Sequence, residues 1–434
     1  MSSPETSDLA PRLRHELYHR LRPMTGRDPG ERDRSTTPLE LLYDLTYVVA
    51  FGAAADELAH QIGEGHVGAA LGAYAFAIFA VTWAWINFTW FSSAYDNDDA
   101  LFRGATLVQM LGVVVLIFGL PVSFEATADG GSPNNLLLVV GYVVMRVPII
   151  GLWLRAARQD PAHRRITVAY AVTIAVAQVG WLLTAILPLP VTVVVAALVL
   201  LAFGEMALPV VLERRRGSPP WNAGHLAERF SLLTLITLGE VVAATTAAVT
   251  ALIHAQGWSL AAVVIIASGL VLAATLWWAY FLIPSRPILE RWPGRTFAWR
   301  YAHLPIFGAI AAVGAGLRVA TAAVEEEKIS VLQVALSLAV PMAALVMIFV
   351  TWSVLMRSYD LTHVPLLVLS LVPLAAAVAV PSLLGATGPI HPDDGTSLTA
   401  LVAAIALVAL AGIVEVVGHE TVGFRHTMRA LDRR

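Results

Sequence analysis

The sequence predicts an all-α polytopic membrane protein of about twelve transmembrane helices arranged as two parallel six-helix repeats, and three observations predict it. Twelve apolar stretches recur along the 434 residues, and the arginines fall almost entirely in every second gap between them. The chain is 57% hydrophobic and 14% charged, where an ordinary soluble protein carries about 25% charged residues. Its net charge of −3 is uninformative, because charge placement matters more than its sum, and no nucleic-acid partner is expected.

In order, the stretches cover 37–60, 67–92, 101–122, 135–157, 165–187, 190–212, 225–252, 258–283, 297–322, 330–356, 361–384 and 397–419. Most reach the roughly 20 residues that a bilayer core requires, and a helix is the form that satisfies its own backbone there. Arginines cluster at Arg12, Arg14, Arg20, Arg22, Arg27, Arg32 and Arg34, then at Arg155, Arg158, Arg164 and Arg165, and at Arg214, Arg215 and Arg216. Further clusters are Arg286, Arg291 and Arg295, and Arg425, Arg429, Arg433 and Arg434. The alternate loops hold only Lys328, so the positive-inside rule predicts both termini in the cytoplasm of a bacterial inner membrane.

Residues 1–36 read as a basic cytoplasmic tail, too charged to be a secretory signal. Within it Leu9–Leu21 fits either a basic amphipathic helix on anionic lipid or a solvated segment. The first half is predicted over 37–216, a linker over 217–224, the second half over 225–420 and a basic tail over 421–434. The repeat is visible as Leu39-Glu40 against Ala227-Glu228, Trp83, Trp85 and Trp90 against Trp277, Trp278 and Tyr280, and Arg103 against Arg300. Trp153 and Arg158 match Trp352 and Arg357, and Glu205 matches Glu415. Because six is even, both copies enter from the same side.

No cysteine is present, so thiolate chemistry and disulfides are excluded. No cofactor is implied: no histidine pair has haem or metal spacing, and no P-loop, dinucleotide fingerprint or nucleophile elbow occurs. Asp96, Asp98 and Asp99 are read as a helix cap and solvated loop before they are read as a cation site, with Asp99 the expected partner of Arg103. Glycines and alanines in spans two, five, eight and nine predict close helix packing.

Charges that cannot avoid the bilayer carry the functional expectation, since each costs at least about 2.5 to 3.5 kcal/mol at the centre of a lone helix. Glu40 follows Thr37-Pro38 as a capping box, and Asp44 lies one turn deeper. In span seven His225, Arg229 and Glu240 share a face, with Glu240 near mid-membrane and Glu228 placed to stabilise the helix start. Arg146 is the expected partner of Glu240 or Asp44. Glu205 and Glu415 occupy matching late positions, and His303 is either a proton relay or a neutral hydrogen-bonded histidine, with His363 nearer a helix start. These candidates suggest a path for a proton or sodium ion and a small solute between the halves, with no catalytic residue and no metal. A bilayer-sensing or bilayer-adjusting protein without transport is the alternative. A lipid-modifying enzyme would need an acid–base pair open to lipid, for which Glu40 with Asp44 is the candidate.

Thr37-Pro38-Leu39-Glu40-Leu41-Leu42-Tyr43-Asp44-Leu45 resembles the ELFFDL-type opening of the low temperature requirement protein A family. His225-Leu226-Ala227-Glu228-Arg229-Phe230, running on to Leu238-Gly239-Glu240, resembles that family's HxxERF…LGE block. Asp96-Asn97-Asp98-Asp99 with Arg103, and Trp277-Trp278-Ala279-Tyr280-Phe281, resemble two more. Tyr43 stands where the family tends to have Phe, and Ser231 where Gly is usual. The resemblance covers about residues 35–420 and implies a polytopic inner-membrane protein named for a cold-growth phenotype, without implying a chemistry.

Overall fold

The computed structural model describes residues 21–31, 34–128, 130, 134–356, 363–391, 393–425 and 428. Arg12, Arg14, Arg20, Arg32, Arg357, Arg429, Arg433 and Arg434, the stretch 9–20, and the side chain of His363 lie outside the described residues. The first half comprises α1 (Pro38–Gly63), α2 (Val67–Tyr95), α3 (Ala100–Ala128), α4 (Leu136–Gln159), α5 (Arg164–Ile186) and α6 (Val191–Arg216). The second comprises α7 (Ala223–Gln256), α8 (Leu260–Phe281), the short α9 (Ser285–Arg291), α10 (Thr296–Glu326), α11 (Val331–Ala339), α12 (Ala344–Met356), α13 (His363–Leu383) and α14 (Gly395–Gly418). Eleven helical stretches among the described residues are long and apolar enough to cross a membrane. The 26-residue α1, carrying Glu40, Asp44, Asp56 and Glu57, falls outside that set and brings the count to twelve.

Local signals explain the helix ends. Thr37 and Glu40 form the expected capping box, Ser330 and Gln333 form a second, and Asn222, Ser259 and Asp394 each cap with a side-chain oxygen. Gly217 and Gly257 end α6 and α7 at φ of 84° and 74°, a backbone that other residues adopt at a penalty. The tenth span is not one helix: Pro341 opens a 3-10 turn over Pro341–Ala343 that separates α11 from α12, because a proline has no N–H for the helix ladder.

Close packing is found in three of the four spans where it is expected, and it also joins α3 to α4. A Cβ on Gly180 of α5 would lie 2.6 Å from Leu201, one on Gly269 of α8 2.2 Å from Thr245, and one on Gly316 of α10 2.5 Å from the Ser337 carbonyl. A Cβ on Gly141 of α4 would lie 2.4 Å from the Leu116 amide of α3, and Gly112 and Gly119 are equally blocked, whereas Gly72 of α2 faces open space. The halves meet where α1 and α2 pack against α7 and α10. In the second half α14 packs against α8. In the first, α6 rests on α5 and stands off from α2, which leaves an apolar groove of about 520 Å³ lined by Phe76, Phe79, Leu198 and Phe203.

Residues 21–31 and 34–37 lie against the helices. They strap the arginine-rich face: the Met24 amide donates to Gln159 Oε1 at 2.6 Å, the Arg27 amide to the Ala94 carbonyl at 2.9 Å, and Asn222 Nδ2 to the Pro29 and Glu31 carbonyls at 3.0 and 2.9 Å. Met24 is fully buried, and the Arg34 guanidinium donates to the Ser92 and Ser93 carbonyls. The aspartates beside it are spent on structure. Asp99 receives Arg155 and the amides of Phe102 and Arg22, so Arg103 turns to Asp98 instead, at 2.7 Å. Burial alone would raise the Asp99 carboxyl, but those donors outweigh it and hold it down at about 2. Burial and the Glu40 charge push the Asp96 carboxyl up to about 7 against the pull of Arg34.

Candidate functional site

The two motif blocks that the sequence separates by about 180 residues meet in one buried cluster. Glu40 and Asp44 are one turn apart on α1, as His225 and Arg229 are on α7, so each pair presents one face to the other helix. Arg229 Nη1 lies 2.7 Å from Glu40 Oε1, and Arg229 Nη2 donates to Asp44 Oδ1 at 2.5 Å. His225 Nε2 contacts Glu40 Oε1 at 3.1 Å, and Trp85 Nε1 of α2 donates to Asp44 Oδ1 at 2.7 Å. The guanidinium lies 5.6 and 5.8 Å from the ring centroids of Trp85 and Phe88. All four ionisable side chains have no exposed surface. Asp44 Oδ2, His225 Nδ1 and Arg229 Nε have no hydrogen-bond partner among the described residues. Glu40 therefore caps its own helix and pairs across the halves at once. Glu228 points the other way and accepts the Thr36 amide at 3.2 Å.

Higher on the same seam Glu240 meets Arg318 of α10, not Arg146, at 2.5 Å, and Arg318 also holds Asp56 of α1 at 2.6 Å. Two glycines make room for Glu240: a Cβ on Gly52 or on Gly314 would come within 2.9 Å of it. α1 and α7 thus run in the same direction, from Glu40 beside His225 to Gly52 beside Glu240. Phe51, Trp85, Phe230 and Phe307 form a connected set of aromatic contacts on these helices and their neighbours, Phe230 with Trp85 at 4.7 Å and Phe51 with Phe307 at 6.1 Å.

Arg146 does not reach Asp44 or Glu240, because α4 is packed against α2, α3 and α5. It faces α6, where its Nη2 lies 3.2 Å from Glu205 Oε2. Tyr142 donates to the same oxygen at 2.6 Å, while Gln178 and Trp181 of α5 donate to Glu205 Oε1 at 3.3 and 3.2 Å. Arg146 Nε and Nη1 have no partner among the described residues. Tyr43 and Tyr47, hydrogen-bonded at 2.6 Å, stand between this pair and the α1–α7 cluster, and Tyr43 feels the charges of both arginines. Glu415 accepts Ser370 Oγ at 2.5 Å and lies 3.3 Å from His419 Nδ1, so the late glutamates serve separate places. His303 Nδ1 donates to the Trp299 carbonyl at 2.7 Å, and its Nε2 receives the Tyr280 hydroxyl at 2.8 Å, the arrangement of a neutral, satisfied imidazole. Arg300 stacks on Trp90 at 3.6 Å.

Sequence reasoning missed Arg318, Asp56 and Trp85. Arg318 had a usable signal, as a lone arginine at the arginine-poor end of a span. Trp85 had none, since an indole that serves a carboxylate is written like one that serves the membrane interface.

The sequence model of the bacterial low temperature requirement A protein (LtrA) matches residues 35–416, which takes in the ionisable residues of the α1–α7 seam and the Arg146–Glu205 pair and stops short of His419. The chain belongs to the bacterial low temperature requirement A family. An uncharacterized protein of Rhizobium meliloti (strain 1021) is 25% identical over 286 residues, 62% of this chain and 66% of that protein, so the chain matches just under two thirds of its relative's length. No solved structure matches. In this LtrA chain the family-like blocks are the two helix faces that form the buried cluster.

Proposed function

We propose that this LtrA protein is an ion-coupled secondary transporter of a small solute in a closed conformation, with Glu40, Asp44, His225 and Arg229 as the ion-holding site. The observation that carries the reading is a charge count: two carboxylates face one guanidinium, all fully buried. An uncompensated buried charge is costly, and one proton taken by Asp44 or His225 brings the cluster to neutrality. Asp44 Oδ2 and His225 Nδ1 have no hydrogen-bond partner among the described residues, which leaves each a position for that proton. Because the cluster joins α1 of one half to α7 of the other, its protonation alters the attraction between the halves, which is what coupling requires. The arginine distribution supports a cytoplasmic arginine-rich face in a bacterial inner membrane. Enclosure of Glu40 and Asp44 speaks against lipid chemistry at that pair.

The test is reconstitution into vesicles with a trapped pH-sensitive dye, under imposed pH and sodium gradients. Wild type is expected to move protons, and Asp44→Asn to lose that movement while remaining folded. Unchanged proton movement in Asp44→Asn would remove the cluster from the mechanism.

A second reading, a bilayer-sensing or bilayer-adjusting protein without transport, has its own supporting observation. Glu40, Asp44, Glu205 and Glu240 each have a cationic partner, and four cavities among the described residues take none of Asp44, Arg146 and Glu240 into their lining. On that reading the buried ions only fasten helices, and vesicles show no proton movement under any gradient.

A further inference from the structure

A cavity of about 440 Å³ lies at the arginine-rich end of the second half, away from the clusters of the α1–α7 seam. Its walls come from the end of α8, from α9, from α12 and from the end of α14, and Phe281, Ile288, Ile348 and Trp352 are representative of a lining that is almost wholly apolar. The volume lies within the about 300–1,000 Å³ of small-ligand sites. We propose that this cavity holds an acyl chain of an anionic phospholipid from the adjacent leaflet, with the headgroup phosphate against Arg291.

Three observations select that occupant. The cavity sits at interface depth: α9 buries Ile288 and Leu289 and exposes Arg286, Glu290 and Arg291, the division expected of a short helix lying at a membrane surface. Its rim is cationic, since Arg291 lines it, Arg295 stacks 4.1 Å from the ring centroid of its wall residue Trp292, and Arg425 follows its lining residue Phe424. Basic side chains beside a bilayer select anionic lipids. At the corresponding end of the first half the chain itself closes the gap, with Met24 fully buried near the ends of α2 and α4. The polar wall residues Glu415 and His419 lie 3.3 Å apart, and the aromatic side of the cavity is left for the chain.

Native mass spectrometry of the purified protein, titrated with phosphatidylglycerol and phosphatidylcholine, tests the proposal. Wild type is expected to retain phosphatidylglycerol in preference to phosphatidylcholine. Ile348→Trp, which fills the cavity, should lose the bound lipid. Arg291→Gln, at an exposed position, should keep a lipid but lower the anionic preference about fivefold, the contribution of one basic residue at a membrane surface. Equal retention of both lipids by wild type overturns the proposal. So does wild-type retention in Ile348→Trp, or, where that variant does not fold, an unchanged preference in Arg291→Gln. If the C-terminal segment fills the cavity instead, wild type retains no lipid and truncation after Gly423 creates binding, which also overturns it.

Discussion

Two charged clusters occupy the same α1–α7 seam, and they differ most in how far water reaches them. The Glu40, Asp44, His225 and Arg229 cluster is sealed, with the strap and its Arg34 on one side and aromatic rings on the other. The Asp56, Glu240 and Arg318 cluster is open at one edge, since the Asp56 side chain is 54% and that of Arg318 26% exposed. Ions in water are screened and already solvated, whereas sealed ions depend wholly on one another. The same residue types therefore make a contact with a solvent-exposed edge at one end and, at the other, a contact whose single cation cannot be removed without stranding two buried carboxylates.

The sharpest way to break that contrast is Arg229→Leu. It leaves Glu40 and Asp44 facing each other without a cation, and the expected loss is about 3–5 kcal/mol in unfolding by denaturant in detergent. Asp44→Asn should be far milder, because it keeps the Glu40–Arg229 pair and removes the excess negative charge. Equal losses in the two variants would show that the charge count does not govern the cluster.

Arg146→Met is expected to cost less, about 2–3 kcal/mol, although Arg146 is as buried as Arg229. Its partner Glu205 keeps three neutral donors, Tyr142, Gln178 and Trp181, when the guanidinium is gone. Adding Glu205→Met to Arg146→Met should recover part of the loss. A double variant worse than the single one would contradict the pairing.

The all-α character and the run of membrane-length helices were legible because span length and hydropathy are local properties of the sequence. The Thr37–Glu40 box was legible because it is local. Partner choice was not: Arg146 meets Glu205 rather than Asp44 because α4, α5 and α6 pack in succession, and helix rotation within a bundle leaves no trace in hydropathy. The family-like blocks marked the right faces of α1 and α7, yet nothing in either block shows that the two faces touch.

Asp96, at the edge of the sealed cluster and outside the membrane spans, gives a pH test. A carboxyl raised to about 7 in the fold favours its protonated form there, so its contribution to stability is complete below the unfolded value of about 3.9 and fades as pH rises through about 7. Wild type should lose stability over that window with a slope of at most about 1.4 kcal/mol per pH unit from this group, and Asp96→Asn should flatten the slope. The groups acting on it are Glu40 of α1 together with Arg34 and Arg27 of the strap. An unaltered profile in Asp96→Asn would place the titration elsewhere.

The smallest effect belongs to the open cluster and tests the role of water directly. Asp56→Asn removes the one ion pair that reaches the exposed edge and leaves the buried Glu240 with Arg318, so the expected loss is about 0.5–1 kcal/mol. That loss should shrink further when salt is raised from about 0.01 to 1 M, because the screening length falls from about 30 to 3 Å. The Arg229→Leu loss should not respond, since no mobile ion enters a cluster with no exposed surface. If both losses respond to salt alike, the two ends of the seam are equally wet, and the distinction between a solvent-exposed outer contact and a sealed inner one is lost.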